Sequence, residues 1–270
     1  MKSTRILTTA ALTAALTTVL PGLLGTTADV AAQNGALSPA GDRQAFRYWA
    51  QVETGVAISG YNDVRISGTT GTLFSLSEEL EADPTAFVRL RLAWQISEKS
   101  TLMLLAAPLR FSSTGSIDRD VTFEGTTFPA GTPLTGTYRF DSYRATWRFA
   151  MRGSERFIWG LGGTIKLRSA AITIEGGGQK AEKPNTGFVP LINFDLTWKA
   201  TDRLHLIMAG DALAAPQGRA EDVLVGVRYL VNDRISAYGG YRILEGGADV
   251  DEVYTFALIN YLSAGVRIAF

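Results

Sequence analysis

Downstream of the N-terminal region, apolar and polar side chains alternate with a period of two, and this alternation limits what the chain can fold into. In residues 84–97, for example, Val88 and Leu90 share one face while Arg89 and Arg91 share the other. A period of two places successive side chains on opposite faces of a β-strand, whereas a helix needs a period of 3.6. The chain therefore predicts an all-β fold whose strands have one apolar and one polar face.

Clusters of Gly, Asn, Asp and Ser divide this pattern into ten predicted strands. The strands cover residues 44–60, 84–97, 100–112, 136–151, 156–173, 186–200, 203–213, 221–232, 234–246 and 253–270. Each is long enough to cross a bilayer as a tilted strand, which takes about 9–11 residues. The third and seventh alternate less clearly than the others.

The connections between these strands alternate in length. Short connections lie around Glu98-Lys99, Gly153-Ser154-Glu155, Thr201-Asp202 and Asn232-Asp233. Mostly longer connections cover residues 61–83, 113–135, 174–185, 214–220 and 247–252. Short turns at one end and longer loops at the other are typical of transmembrane β-barrels.

Alternation alone does not show which face points inward, because a soluble secreted β-sandwich buries its apolar face and a membrane barrel exposes that face to lipid. Large aromatic side chains favour the barrel. They lie on apolar faces near the ends joined by short connections, and the predicted girdle is Trp94, Trp147, Trp159, Trp198 and Tyr229. Such rings collect where hydrocarbon meets headgroups. We therefore predict an antiparallel transmembrane β-barrel of about ten strands, with the sandwich as an alternative.

Charged side chains occupy the polar faces, many of them in the middle of the predicted strands. Exposure of Arg or Lys to lipid near the bilayer midplane costs about 2–4 kcal/mol, so in a membrane barrel these groups must face the lumen. The predicted charged lumen lining comprises Glu53, Arg89, Arg91, Arg144, Arg148, Lys166, Arg168, Asp195, Arg228 and Arg242. Asp211, Asp222 and Arg267 lie on the same faces.

A charged lumen is compatible with two functions. Eight strands leave an interior just filled by side chains, while 16–18 strands hold an aqueous channel, so about ten strands favour a salt-bridged plug. The preferred interpretation is a plugged barrel with a role in envelope structure or surface interaction. Because basic groups outnumber acidic ones on these faces, the alternative is a narrow, porin-like channel for ions or small anionic solutes.

The N-terminus has the pattern of a targeting segment. Lys2 and Arg5 precede an apolar stretch rich in Ala, Leu and Thr, and small residues then offer cleavage after Ala32 or, as an alternative, after Ala28. This pattern predicts a secretory signal peptide over residues 1–32. A short segment, 33–43, would then lead into a barrel of residues 44–270.

The C-terminus carries a more specific signal. Alternating residues from Leu262 onward end on an aromatic residue, Phe270. Together with the signal peptide, the strand pattern and the girdle, this ending resembles that of the small bacterial outer-membrane β-barrel proteins over nearly the whole mature chain. The resemblance implies a location in the bacterial outer membrane, contact with its lipid and lipopolysaccharide, and recognition of Phe270 by the barrel-assembly machinery. It identifies no characterised subfamily and no oligomeric state.

Composition argues against several other activities. Lys plus Arg and Asp plus Glu both number 26, so no basic excess points to nucleic acid. The chain has no cysteine and one histidine, His205, in a predicted short-turn region without a nearby serine. Outer-membrane enzymes that use a histidine place it near the external rim, so this position disfavours an outer-membrane enzyme, which stays as a further alternative. The sequence predicts no catalytic residue, no cofactor and no metal site.

Overall fold

The computed structural model describes residues 47–216 and 218–270. The predicted signal peptide, the segment 33–43 and the start of the first predicted strand lie outside the described residues. No helix in the described ranges is long and apolar enough to cross a bilayer.

The described residues form β-strands joined by turns and loops. In chain order the strands are β1 (Tyr48–Ile66), β2 (Phe74–Ser75), β3 (Glu81–Ala82), β4 (Thr85–Gln95), β5 (Ser100–Ala107), β6 (Arg110–Ser116), β7 (Val121–Phe123), β8 (Thr126–Phe128), β9 (Pro133–Arg152), β10 (Phe157–Gly176), β11 (Gln179–Lys199), β12 (Leu204–Ala215), β13 (Gly218–Leu230), β14 (Ile235–Val250) and β15 (Val253–Ala269).

One sheet closes on itself into an antiparallel barrel. Its order is β10-β11-β12-β13-β14-β15-β1-β4-β5-β9, and a further pairing of β9 with β10 completes the ring. Strand β6 continues the wall position of β5 along β9, after an interruption at Pro108 and Leu109. The predicted barrel of about ten strands is therefore confirmed.

The apolar faces of the strands point away from the barrel. Leu92, Ile165 and Leu262 expose 58%, 61% and 72% of their surface, whereas Glu53 and Arg144 on the opposite faces expose 1% and 4%. A soluble sandwich would bury these apolar side chains against a second sheet. The alternative of a β-sandwich is therefore wrong.

The four short connections lie at the predicted places, between residues 95 and 100, 152 and 157, 199 and 204, and 230 and 235. Side chains accept backbone hydrogen bonds in three of them, and in the second the Ser154 hydroxyl accepts from the N–H of Phe157 at 3.0 Å. The Thr201 hydroxyl accepts hydrogen bonds from the N–H groups of Arg203 and Leu204, and the Asn232 carbonyl accepts from those of Arg234 and Ile235. We call this end of the barrel the turn end and the opposite end the loop end.

Three of the longer predicted connections are wrong. The connections from β10 to β11, from β12 to β13 and from β14 to β15 are tight, because the strands continue through residues predicted as loops. Gly177 and Gly178 have φ of +57° and +77°, the conformation that a two-residue hairpin turn requires. These strand ends extend beyond the apolar band and face water, so their side chains lack the alternation by which the prediction located strands.

The two remaining long connections carry short strands and an apolar core at the loop end. Residues 67–84 contain β2 and β3, and residues 117–132 contain the hairpin of β7 and β8. Most of their large apolar side chains are buried against inward-facing residues of the wall. This loop core includes Phe74, Leu76, Leu80, Phe123 and Phe128, with Ile66, Ile174 and Ile259 from the wall.

The first and last strands meet along a seam that the C-terminus completes. Tyr48 and Phe270 exchange two backbone hydrogen bonds of 3.1 and 2.9 Å. Their rings stack with centroids 6.3 Å apart, and the ring of Trp94 stacks on the other side of Tyr48. Phe270 therefore helps to close the barrel, in addition to being the predicted C-terminal assembly signal.

We predict that Phe270→Ala lowers the free energy of unfolding by about 0.5–1.5 kcal/mol, because the stacked pair at the seam is lost. The folded fraction, measured by gel mobility of unheated samples across a urea series in detergent, checks this. Tyr229→Ala is the control, since this ring projects from the wall away from the seam. Equal midpoints for the two variants would contradict the role of Phe270 in closure.

Candidate functional site in the barrel interior

The ten charged residues predicted to line the lumen lie on the inward faces of the wall strands. Glu53, Arg89, Arg144, Lys166 and Arg242 are buried, and Arg91, Arg148, Arg168, Asp195 and Arg228 are partly exposed. They do not form one continuous lining. The strand registers place them at different heights, and the interior divides into a central network, a vestibule at the turn end and a cavity at the loop end.

The central network consists of Glu53, Arg89, Arg144, Asp211, Asp222 and Arg242. Its hub is Asp222 on β13, which accepts hydrogen bonds from three arginines on three other strands. Arg89 and Arg144 reach one carboxylate oxygen at 2.7 and 2.5 Å, and Arg242 reaches the other. All of these side chains are nearly inaccessible to solvent.

Glu53 on β1 anchors one side of the network. Arg242 donates to both of its oxygens, from Nε at 2.7 Å and from Nη2 at 2.9 Å. The hydroxyls of Tyr238 and Ser263 also donate to Glu53, at 2.9 and 3.1 Å. A bidentate arginine and two hydroxyls satisfy most of the lone pairs of this buried carboxylate.

Asp211 on β12 anchors the opposite side. One of its oxygens accepts from Arg144 at 2.7 Å. The other accepts from Thr164 at 2.6 Å and from Asn193 at 2.9 Å. The network thus connects the β1 side of the barrel with the β10–β12 side, across the interior.

Charge balance explains how the central network tolerates its burial in the barrel. Three arginines face three carboxylates, and each carboxylate pairs with at least one guanidinium. A buried charge costs several kcal/mol unless it is paired and hydrogen-bonded. Because the partners come from strands far apart in sequence, the network fixes those strands relative to one another.

A glycine makes room for the tyrosine of this network. Gly265 lies opposite Tyr238 in the ladder, and a Cβ on Gly265 would collide with the tyrosine ring. The ring therefore lies across the glycine, which directs its hydroxyl to Glu53 and lets it accept from the Gln51 amide at 2.8 Å. Sequence reasoning missed Tyr238 and Gln51, although both share the polar faces of Arg242 and Glu53.

The vestibule at the turn end is strongly basic. It consists of Arg91, Arg148, Asp195, Arg228 and Arg267, so four arginines share one carboxylate in a space adjoining cavities of about 30 and 90 Å³. Arg148 pairs with Asp195 at 3.0 Å, and Arg267 lies over the Trp49 ring at 3.8 Å. The excess of arginine noted in the sequence is therefore concentrated on one side of the central network.

The loop end contains a third compartment, a cavity of about 500 Å³. Most of its wall is apolar, and its charged lining residues are Lys166, Arg168, Lys183, Arg219 and Glu245. Lys166 is the direct neighbour of Arg144 in the ladder between β10 and β9, so this cavity adjoins the central network.

The aromatic girdle residues lie near the turn end. Trp94, Trp147, Trp198 and Tyr229 project outward with 43–54% of their surface exposed, and Trp159 is partly buried. The Trp147 indole donates to the Ser100 hydroxyl at 2.6 Å. This arrangement gives each ring an apolar surface toward the bilayer and, for Trp147, a satisfied polar group.

The only histidine of the sequence lies at the turn end of the barrel, away from the loop end. His205 is buried at the start of β12, beside the turn-end vestibule. Among the described residues, no three or more His, Cys, Asp or Glu side chains form a group that could hold a metal ion.

Comparison with known proteins shows the fold but no family. No protein-family model and no curated protein matches the chain. The outer-membrane protease OmpT of Escherichia coli is similar with a TM-score of 0.50 and 11% identity, over 85% of this chain and 99% of that one. The β domain of the Bordetella autotransporter BrkA gives 0.45 and 10%, over 83% and 99%. An outer-membrane channel from Pseudomonas putida gives 0.44 and 9%, over 86% and 100%.

Closure of the sheet, its apolar outer surface and the similarity to OmpT show that the chain has the fold of the outer-membrane β-barrel proteins. At 11% identity the similarity to OmpT concerns the fold alone. The activity therefore has to be inferred from the interior and the surface of this chain.

We predict that Asp222→Asn lowers the free energy of unfolding by about 3–5 kcal/mol, because three buried arginines lose their shared counter-charge. The urea midpoint of tryptophan fluorescence in detergent measures it. Asp195→Asn is the matched control, since water reaches the Arg148–Asp195 pair, whose side chains keep 16% and 21% of their surface exposed, and we expect a clearly smaller loss than for Asp222→Asn. Similar losses in both variants would contradict a special role for the central network.

Proposed function

We propose that this protein is a non-conducting outer-membrane barrel that acts through its external surface, in envelope structure or in surface interaction. The loop end faces the exterior and the turn end faces the periplasm, as is general for such barrels. Export by the N-terminal segment, with cleavage after Ala32, and recognition of Phe270 by the assembly machinery belong to the same proposal.

The central network is the observation that carries the proposal. Its six charged side chains interlock across the interior through hydrogen bonds of 2.5–2.9 Å, besides the Arg242–Asp222 contact. Ions passing through the barrel would have to separate pairs that are almost completely buried. Separating such a pair leaves uncompensated charge in a low-dielectric interior, which is strongly unfavourable.

The loop end supports a role at the surface. The connection that follows β6 is fastened to the connection that follows β1, since Arg119 pairs with Glu79 and donates to the Leu73 carbonyl at 2.8 Å. Lys183 on β11 reaches Glu124 in the β7–β8 hairpin at 3.1 Å. With the loop core beneath them, these segments form an ordered platform, which reduces the entropy lost when a partner binds.

The apolar belt between the girdle and the loop end is the surface that we assign to membrane lipid and lipopolysaccharide. It is made of exposed Leu, Val, Ile and aromatic side chains, including Val56, Leu104, Val225 and Tyr241. The proposal includes no nucleic-acid partner and no catalytic role. OmpT is a protease, but in the present chain His205 is at the turn end and we assign no residue a catalytic function.

A narrow channel for small anions is the second candidate, and the vestibule favours it. Four arginines against one aspartate would attract anions from the periplasmic side. The central network separates this vestibule from the cavity at the loop end, so conduction would require the network to open.

We predict that the purified protein is electrically silent in planar bilayers. The double variant Arg144→Ala with Asp222→Ala removes one positive and one negative side chain from the central network. It should join the vestibule to the loop-end cavity and produce discrete conductance steps. The matched control is Arg148→Ala with Asp195→Ala, which removes a neutral pair from the vestibule and should remain silent.

Heat-modifiable gel migration and flotation with liposomes establish that each sample is folded and inserted. Discrete steps with anion preference from the unmodified protein would overturn the plugged barrel in favour of the channel.

A further inference from the structure

The barrel wall has a gap at the loop end, beside β11. Within the described ranges, β11 pairs with β12 only from Ile192 to Lys199, although β11 begins at Gln179. Pro184 and Pro190 lie on the unpaired stretch, and neither has the N–H group that a further strand would require. We call the gap between this free edge and the adjoining ends of β12 and β13, at Ala215 and Gly218, the notch.

The notch adjoins the 500 Å³ cavity of the loop end. Phe188, Pro190, Ala215 and Gly218 line both the notch and the cavity. Phe188 exposes 75% of its surface on the outward side of the wall. The cavity is therefore accessible at the level where the apolar belt ends, where the outer leaflet meets its headgroups.

Apolar side chains form most of the cavity wall. They come from several wall strands and include Ala170, Ile172, Leu213, Leu244, Ala257 and Ile259. A volume of about 500 Å³ lies within the usual range for a small-molecule site. If each methylene occupies ~30 Å³, which is the share of one molecule in liquid water, the cavity holds roughly one chain of sixteen carbons.

Lys166 gives this apolar space a positive charge. The side chain is 3% exposed, and its ammonium group lies over the Phe140 ring at 4.7 Å. Among the described residues no carboxylate forms an ion pair with it, whereas the arginines of the central network are all paired. A buried cation without a counter-ion is costly, and a bound anion would remove that cost.

Arg168 adds a second cation two residues along the same strand. It lines the cavity, and Nη2 donates to the Asn185 carbonyl at 2.5 Å. Its buried Nε has no hydrogen-bond partner within the described part of the chain. One ammonium and one guanidinium at the same side of an apolar cavity match the head of a carboxylate, with space for a hydrocarbon tail.

We propose that the loop-end cavity binds a long-chain fatty carboxylate that enters through the notch from the outer leaflet, with its head at Lys166 and Arg168 and its single tail against the apolar wall. The site does not depend on whether the barrel conducts ions. It gives the external end of the protein a ligand, which the proposed function leaves unspecified.

Displacement of a fluorescent polyene fatty acid from the detergent-folded protein tests the proposal. Palmitate should displace the probe, and hexadecanol, with the same chain length and no charge, should do so at least about tenfold less well. Lys166→Met should weaken palmitate binding by about tenfold or more and remove the preference over hexadecanol. Ala170→Phe, which fills the cavity, should abolish probe binding.

Lys199→Met is the matched control, since Lys199 is an inward-facing lysine that lines the cavity beside the turn-end vestibule, and this variant should bind palmitate as the unmodified protein does. If Lys166→Met does not fold, the comparison of palmitate with hexadecanol on the unmodified protein decides alone. Equal displacement by acid and alcohol, retention of binding in Ala170→Phe, or an equal loss in Lys199→Met would each overturn the proposal.

Discussion

Charge balance in the buried central network is the constraint on which the rest of this barrel depends. A membrane barrel turns its apolar faces outward, so the charges of its strands must be accommodated inside. Here Asp222 pairs with three arginines. Two of these arginines also pair with a second carboxylate, Arg242 with Glu53 and Arg144 with Asp211. Because these partners come from opposite parts of the sheet, their pairing stabilises closure as well as charge.

The network also divides the interior into compartments with different chemistry. Toward the turn end the arginines exceed the carboxylates, and the vestibule suits small anions. Toward the loop end the interior is mostly apolar, and Lys166 is a buried cation that forms no ion pair with a carboxylate among the described residues. The surface function and the lipid-like ligand that we propose both involve the loop-end compartment, while transport would require the central network to open.

Much of this architecture could be predicted from the sequence, because each strand that contacts lipid must alternate strictly. The strand count and the four short turns follow from that pattern, whereas the barrel could be predicted only with the aromatic girdle, the mid-strand charges and the C-terminal Phe270. The position of each charge along the barrel axis could not be predicted, since alternation assigns Lys166 and Arg144 to a face of a strand but not to an interaction partner. A bulge between Ser59 and Tyr61 also reverses the faces of β1, which brings Val64 inward beyond the point where the predicted strand ends.

The loop core and the notch could not be predicted for a different reason. Phe74 and Phe123 are apolar residues in segments without alternation, and only their packing shows that they fill the barrel. The sequence pattern places Pro184 in a loop and Pro190 in a strand, whereas in the structure both lie on the free edge of one strand. Both features depend on contacts between distant segments, which a local pattern does not contain.

The most direct test of this account is a double-mutant cycle on Glu53 and Arg242, measured as free energies of unfolding in detergent. The account predicts that Glu53→Gln and Arg242→Met each cost about 3–5 kcal/mol. It also predicts that the double variant costs less than their sum by about 1–3 kcal/mol, because the partner left behind is no longer an unpaired buried charge. Additive losses, or single losses below about 1 kcal/mol, would show that the network does not hold the barrel together.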